Sequence, residues 1–269
     1  NGRLPTEAAA RLASLGAPPL VLAVGPEVDP DLPKHAATFH RVALGQWGEA
    51  KRLLLESGAR RVVLLGKVPK ATLYHTAIDR ELAELLAALP ALNDDAVILA
   101  VVDDLIRLGF EIMPQAWALP HLLMPEGQLT KTGPTPEELR DIGIGFHVAR
   151  AIAGLDLGQT VVVKDRAVLA VECIEGMSAC VQRGGALGGP GAVVVKVRKP
   201  KQDPRFDLPT MGLDTVAVAE EAGVRVLALE AGDAFLVDRD RVVEEAERAG
   251  ICLMGVREEQ ARVWGEWPG

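Results

Sequence analysis

The sequence is poor in aromatic side chains, with five Phe, four Trp and one Tyr among 269 residues. Ala, Val, Leu and Gly dominate instead. That composition suits helices laid on parallel strands and argues against a sandwich. Cysteine is scarce as well. Cys173, Cys180 and Cys252 share no CxxC spacing, which argues against a disulfide framework or a zinc module and reads as reduced core thiols in a cytoplasmic protein. Positive charge is short: 29 Lys and Arg face 37 Asp and Glu, a net charge of −8. A nucleic-acid partner is not expected, because a phosphate backbone calls for a basic face, whereas a small phosphate ligand needs only a local basic pocket. No apolar run reaches the ~18 residues of a membrane span, and a signal peptide is not expected. The five histidines, His35, His40, His75, His121 and His147, form no HxH or HxxxH pair, so none is assigned to a metal or to catalysis. Ser178 has no GxSxG context for a serine hydrolase.

Apolar runs bounded by glycine and proline alternate along the chain. Helices are expected over residues 6–16, 47–57, 72–88 and 94–108, and strands over 19–24, 61–65 and 110–113. Asn93 is a natural N-cap, and Asp94 and Asp95 in the first turn suit the helix dipole; a metal contact is the rival reading of that pair. Pro125, Gly127, Gly133, Pro134 and Pro136 mark residues 124–137 as a linker. Beyond it the pattern predicts a long helix to about 153, paired strands at 160–164 and 167–173, and a short helix near 178–183. A strand at 192–197, a loop over 198–213 and a helix over 214–222 follow. The pattern ends with a strand at 225–230, a helix at 238–249, a strand at 251–254 and a frayed polar tail from Arg257. The fold class is α/β with two α/β domains. Residues 1–130 form a Rossmann-like domain with a mainly parallel sheet, and residues 135–269 form the catalytic domain. The ligand is expected in the cleft between them. The chain opens Asn1-Gly2-Arg3-Leu4-Pro5 without Met, so a first strand is expected upstream, and Gly2 is all that is visible of a possible Gly-rich phosphate loop.

The densest polar segment follows the strand at 192–197. Lys196, Arg198, Lys199, Lys201 and Arg205 interleave with Asp203 and Asp207, and Pro200, Pro204 and Pro209 restrict the backbone. A basic loop at a strand's end can hold a diphosphate, and its carboxylates can hold Mg²⁺ against it; a solvated surface loop is the plainer reading. Glu172 and Glu175 leave the strand at 167–173 together and are either an ion-binding pair or two edge carboxylates. Gly66-Lys67 follows a strand, where Lys67 either reaches phosphate or is an ordinary surface lysine.

Several blocks, in order, carry a resemblance: Leu155-Asp-Leu-Gly-Gln159, Val168-Leu-Ala-Val-Glu172 with Glu175-Gly176, Lys196 to Lys199-Pro200, Gln202-Asp203, Arg205-Phe-Asp207-Leu-Pro-Thr210, Gly212 and Glu230-Ala-Gly232. With Gly2, Gly45-Gln46, Gly66-Lys67 and Asn93-Asp-Asp95 in the first half, the chain resembles the UDP-2,3-diacylglucosamine pyrophosphatases of lipid A synthesis. The likeness is to the type without calcineurin-like metallophosphoesterase motifs, since neither Gly-Asn-His-Asp nor Asp-x-His occurs. The resemblance implies hydrolysis of UDP-2,3-diacylglucosamine to UMP and 2,3-diacylglucosamine 1-phosphate (lipid X) with a divalent cation, Mg²⁺ or also Mn²⁺. It implies an essential acid at Asp207, assisted at the metal by Glu172 and Glu175. Substrate contacts are expected from Gly2, Gly66, Lys67, Gln159, Lys196, Lys199, Gln202, Arg205, Thr210 and Glu230. Met177-Ser178 departs from the Thr-Asp usual after the glycine. A lipid-linked nucleotide-sugar substrate implies peripheral contact with the inner membrane by a cytoplasmic protein, and a homodimer stays open. A non-catalytic lipid or nucleotide binding module and a Rossmann-type nucleotide-sugar oxidoreductase are the rival functions; the latter would want an intact GxGxxG.

Overall fold

The structure, a computed structural model, describes residues 3–25, 27–66, 76–89 and 94–266, the side chains of Asp94 and Asp95 excepted. The chain forms two compact units. The first comprises Asn1–Pro120 with Pro204–Phe206, the second His121–Asp203 with Asp207–Gly269.

In the first unit the described elements are α1 (Leu4–Ser14), β1 (Leu20–Val24), β2 (Thr38–Val42), α2 (Trp47–Glu56), β3 (Arg61–Val62), α3 (Arg80–Ala87), α4 (Asp94–Arg107), β4 (Glu111–Ile112) and α5 (Gln115–Ala118). β1 pairs with β2 and β3 with β4, both parallel. Leu54, Val102, Leu105, Phe110 and Ile112 form the buried cluster, with Trp47 and Phe206 packed against it. β2 has no counterpart in the sequence reading, because Thr38-Phe-His-Arg-Val42 lacks a continuous apolar run. Of the helix expected over 72–88, residues 72–75 lie outside the described residues, 76–79 are not helical, and α3 starts at Arg80. Asp79 is its N-cap: the carboxylate accepts the Leu82 N–H at 2.8 Å and the Gly48 N–H at 2.7 Å, while the Asp79 N–H donates to the Gly45 carbonyl. Those bonds hold Asp79 extended, which stops a helix from running through it.

The second unit is a six-stranded mixed sheet with helices on both faces. Its strands are β5 (Gly127–Gln128), β6 (Thr160–Lys164), β7 (Ala167–Val171), β8 (Ala192–Lys196), β10 (Val224–Glu230) and β12 (Cys252–Val256), in the order β5-β12-β10-β8-β6-β7. β8, β10 and β12 are parallel; β6 runs against β8 and β7, and β5 against β12. β9 (Thr210–Met211) and β11 (Phe235–Leu236) make a separate parallel pair.

Side-chain alternation assigns the faces. Val162, Val194, Leu227 and Leu229 meet α7 (Met177–Gly188), α8 (Leu213–Glu221) and α9 (Arg239–Arg248). Val161, Val163, Val193, Val195, Val226 and Ala228 meet α6 (Pro136–Gly154) and α10 (Glu258–Trp264). Each buried valine removes from water an area worth about 1.5–3 kcal/mol, and three consecutive ones, Val161–Val163, with Val193 beside them across the ladder, explain why central strands read as solid apolar runs. α6 starts at a capping box of Thr135 and Glu138.

Two further expectations change here. Residues 124–137, read as a linker, carry β5 and the buried Thr130, whose Oγ1 accepts the Leu253 N–H at 3.0 Å; the chain enters the second unit at His121. The tail read as frayed forms α10, which packs on α6 with Ala261 buried and Trp264 against the core. A Cβ on Gly143 would lie 2.2 Å from the Gly265 nitrogen, so glycine at that α6 position admits the close approach.

Candidate functional site

In the second unit the carboxyl ends of β7, β8, β10 and β12 and the entry to β6 share one edge of the sheet. Thr160 pairs with Lys196 across the ladder, Lys196 with Leu229, and Glu230 with Val256. The fold therefore gathers Gln159, Glu172, Lys196 and Glu230, which lie far apart in sequence, at that edge, and Lys199 and Gln202 follow in the loop that leaves it. This is the edge at which open α/β sheets place ligands.

The backbone there is tightly braced. The Glu172 N–H donates to the Thr160 carbonyl and the Val197 N–H to the Gln159 carbonyl, at 2.9 and 3.0 Å. A Cβ at Gly158 would lie 2.0 Å from the Glu172 carbonyl oxygen, so the loop into β6 passes the exit of β7 at a distance only glycine allows. The buried Oε1 of Gln159 has no donor among the described residues. The Lys196 ammonium donates to Met177 Sδ at 3.5 Å, at the start of α7. Lys199 pairs with Asp156 at 2.9 Å, and that bond, more than any other, holds the Asp156 carboxyl below its ordinary range.

The acids separate. Glu172 accepts the Gln159 N–H at 3.3 Å. Glu175 pairs with Arg183 at 2.6 Å and accepts the Cys173 N–H at 3.0 Å; its own backbone N–H first, and Arg183 next, keep its carboxyl below the usual range. Glu230 is buried. One oxygen accepts from the Arg150 guanidinium and the other from the Arg198 N–H at 2.8 Å. Burial pushes its carboxyl up, against the pull of the Arg198 N–H and of Arg150. Among the described residues no group of three or more His, Cys, Asp or Glu is placed to hold a metal ion.

The loop beyond β8 is self-braced too. The Lys199 N–H donates to Gln202 Oε1 at 2.9 Å, the Gln202 N–H returns to the Lys199 carbonyl, and the Asp207 N–H closes a turn on the Asp203 carbonyl at 3.0 Å. Asp207 and Thr210 are exposed. Arg205 belongs to the first unit with Pro204 and Phe206. There Gln115, buried, donates its N–H to the Pro204 carbonyl and its Nε2 to the Leu64 carbonyl, the latter at 2.9 Å. It thus ties Arg205's segment to the stretch that follows β3. Gly2 and Lys67 lie outside the described residues.

The sequence reading missed Arg150 and Gln115. Arg150 sits near the C-terminal end of α6, where an arginine is ordinarily a solvated face, and nothing local marked either residue. The cysteines are all free, but only Cys180 and Cys252 are core thiols; Cys173 is exposed. Burial pushes the Cys180 thiol up to about 12, which makes it inert.

A two-unit α/β protein with a basic loop leaving the carboxyl edge of its larger sheet is the class these observations define. A family profile described as the LpxI N-terminal domain matches residues 1–122, and one described as the LpxI C-terminal domain matches residues 125–254. The chain is 33% identical over 270 residues to "UDP-2,3-diacylglucosamine pyrophosphatase LpxI" of Caulobacter vibrioides, covering 95% of each chain. The chain therefore belongs to the LpxI family. Among solved structures, Acinetobacter baumannii RibD, form 1, matches with a TM-score of 0.30 and 16% identity over 48% of this chain and 38% of that one, a likeness too partial to carry a comparison.

Proposed function

We propose that the protein hydrolyses the diphosphate of UDP-2,3-diacylglucosamine, releasing UMP and 2,3-diacylglucosamine 1-phosphate for lipid A synthesis. The observation that carries this reading is the match along 95% of both chains to a relative of that name. The geometry supports it: lysines, an uncommitted buried amide oxygen and carboxylates meet at one edge of the larger sheet.

A diphosphate resists attack because its charge repels the nucleophile. The donors available are hard oxygens, which suit Mg²⁺ or Mn²⁺ and not zinc. Mg²⁺ is commonly held by one or two carboxylates together with substrate phosphates, so the absence of a three-acid group among the described residues is compatible with an ion completed by the diphosphate. Asp207 is the proposed ligand, with Glu172 and Glu175 as further ligands or as groups behind it. An ion held by these carboxylates would supply neutralisation of the charge that develops on the phosphate oxygens. The alternative role for Asp207 is that of a base that orients the attacking water. Lys196, Lys199 and Arg205 face phosphate oxygens, the arginine in bidentate fashion. Gln159, Gln202 and Thr210 supply neutral contacts, and Gly2, Gly66 and Lys67 serve the nucleotide end.

No helix among the described residues is long and apolar enough to cross a membrane. Access to a lipid substrate by peripheral contact with the inner membrane, from the cytoplasm, belongs to the same proposal. Purified protein incubated with UDP-2,3-diacylglucosamine and Mg²⁺ should release UMP. Failure to release it under conditions where the protein is folded would overturn the reading.

A further inference from the structure

Glu230 is buried, and the chain's own groups engage both of its oxygens. Arg150 and Glu230 together grip one peptide unit on each side of Arg198. The Arg198 N–H donates to Glu230 Oε2 at 2.8 Å, and the Arg198 carbonyl accepts from Arg150 Nη1 at 2.9 Å. Arg150 Nη2 donates to Glu230 Oε1, so the two grips are one unit. Arg150 is itself fixed: its guanidinium lies 5.4 Å from the Phe146 ring centroid and 3.5 Å from Glu258 Oε2. The Arg198 side chain adds an ion pair with Asp233 at 3.0 Å.

Arg198 is the head of the loop that carries Lys199, Gln202, Asp203 and Asp207. From it the bracing runs through Lys199 and Gln202, and then through the Asp203–Asp207 turn. We infer that Arg150 and Glu230 are positioning residues, which set where that loop starts and so where Lys199 and Asp207 are presented; the inference rests on the hydrolase reading for its catalytic consequence. Stability alone does not explain a pair at this place. A buried ion pair is often no more stable than apolar residues of the same volume, and its best-attested use is to fix a register. A displacement of about 1 Å in a reacting group can cost on the order of 100-fold in rate, so the register of a loop head is worth fixing.

The test uses the full-length protein with Arg150→Met, Arg150→Lys and Glu230→Gln. For Arg150→Met, kcat should fall at least ~10-fold among folded molecules, with KM moved less than about 3-fold, because the loop is misplaced and not removed. Arg150→Lys should recover part of the loss by restoring a cation without the second grip. Amide exchange should quicken at least ~10-fold at Arg198–Gln202 while the amides of β8 and β10 keep their protection. A merely structural pair would lower the melting temperature and leave kcat per folded molecule unchanged. Unchanged kcat, or unchanged exchange at Arg198–Gln202, in Glu230→Gln and Arg150→Lys overturns the inference. If the wild type releases no UMP, the hydrolase reading fails, and the exchange measurement alone decides whether the pair holds the loop.

Discussion

The two ends of the six-stranded sheet use the same device for different ends. Where β6 turns into β7, the buried Asp141 accepts the N–H groups of Asp165 and Arg166 at 3.0 and 2.7 Å. Those are the two residues with positive φ, 50° and 65°, that a two-residue hairpin of this kind requires. At the opposite end the buried Glu230 accepts the Arg198 N–H, but its other oxygen is given to Arg150. Burial raises both carboxyls above their ordinary values. Asp141 serves only main chain and closes a turn whose shape ends with it. Glu230 shares its work with a cation that also grips a carbonyl, and it starts a long loop rather than ending a short one. The comparison teaches that a buried carboxylate marks a place where the backbone must be held, and that its second partner tells whether anything downstream depends on it.

Removing metal should separate the two ends most completely. Exhaustive chelation should abolish UMP release and leave the melting temperature of the apo protein within a few degrees, since no described acidic cluster is built around an ion. A rate that survives chelation would move the chemistry away from carboxylates altogether.

Asp207→Asn comes next. It keeps shape and removes charge in the most specific motif, so turnover should drop at least ~100-fold with substrate binding largely retained. Asp203→Asn should cost much less. Equal losses in the two variants would show that the turn, and not the Asp207 charge, is what matters; full activity in Asp207→Asn would remove the central residue of the mechanism.

Gly158→Ala and Asp141→Ala sharpen the contrast from either end. The added methyl at position 158 meets backbone, the Glu172 carbonyl oxygen at 2.0 Å, so the functional edge must shift. A loss of about 1–3 kcal/mol of stability and reduced turnover are expected together. Asp141→Ala leaves buried N–H groups without their acceptor and should cost about 1–3 kcal/mol, yet kcat per folded molecule should hold. Denaturant unfolding and turnover on the same preparations decide the matter, and a turnover defect in Asp141→Ala would erase the difference between the two ends.

The smallest effect is on pH. The Asp141 carboxyl is raised above 3.8 mainly by burial, so the folded state binds its proton more tightly than the unfolded state does. Its contribution to stability is full below that ordinary value and is lost as pH rises through the folded pKa. Unfolding of the wild type and of Asp141→Asn, compared from about pH 3 to about pH 7, should show the wild-type advantage shrinking with rising pH. An advantage that grew would mean that the hydrogen bonds from Asp165 and Arg166 outweigh burial.

What the sequence determined by itself is local. Runs such as Val161–Val163 and Val193–Val195 read as strands, and Thr135 or Pro136 reads as a helix start, because periodicity and capping act over a few residues. The basic loop after β8 was visible for the same reason: its charges are consecutive. The α10 helix was not, since its apolar stripe is short and its burial depends on Gly143 far upstream letting it close. Nor was β2, whose mixed composition becomes a strand only beside β1. The Arg150–Glu230 pair lay beyond any local signal, because Arg150 is 48 residues from Arg198 and 80 from Glu230. Chain connectivity cannot announce such a contact. Only the parallel ladder of β8 and β10, with α6 laid across that face, brings the three together, and only burial turns an ordinary helix arginine and a strand-end glutamate into the grip on the loop.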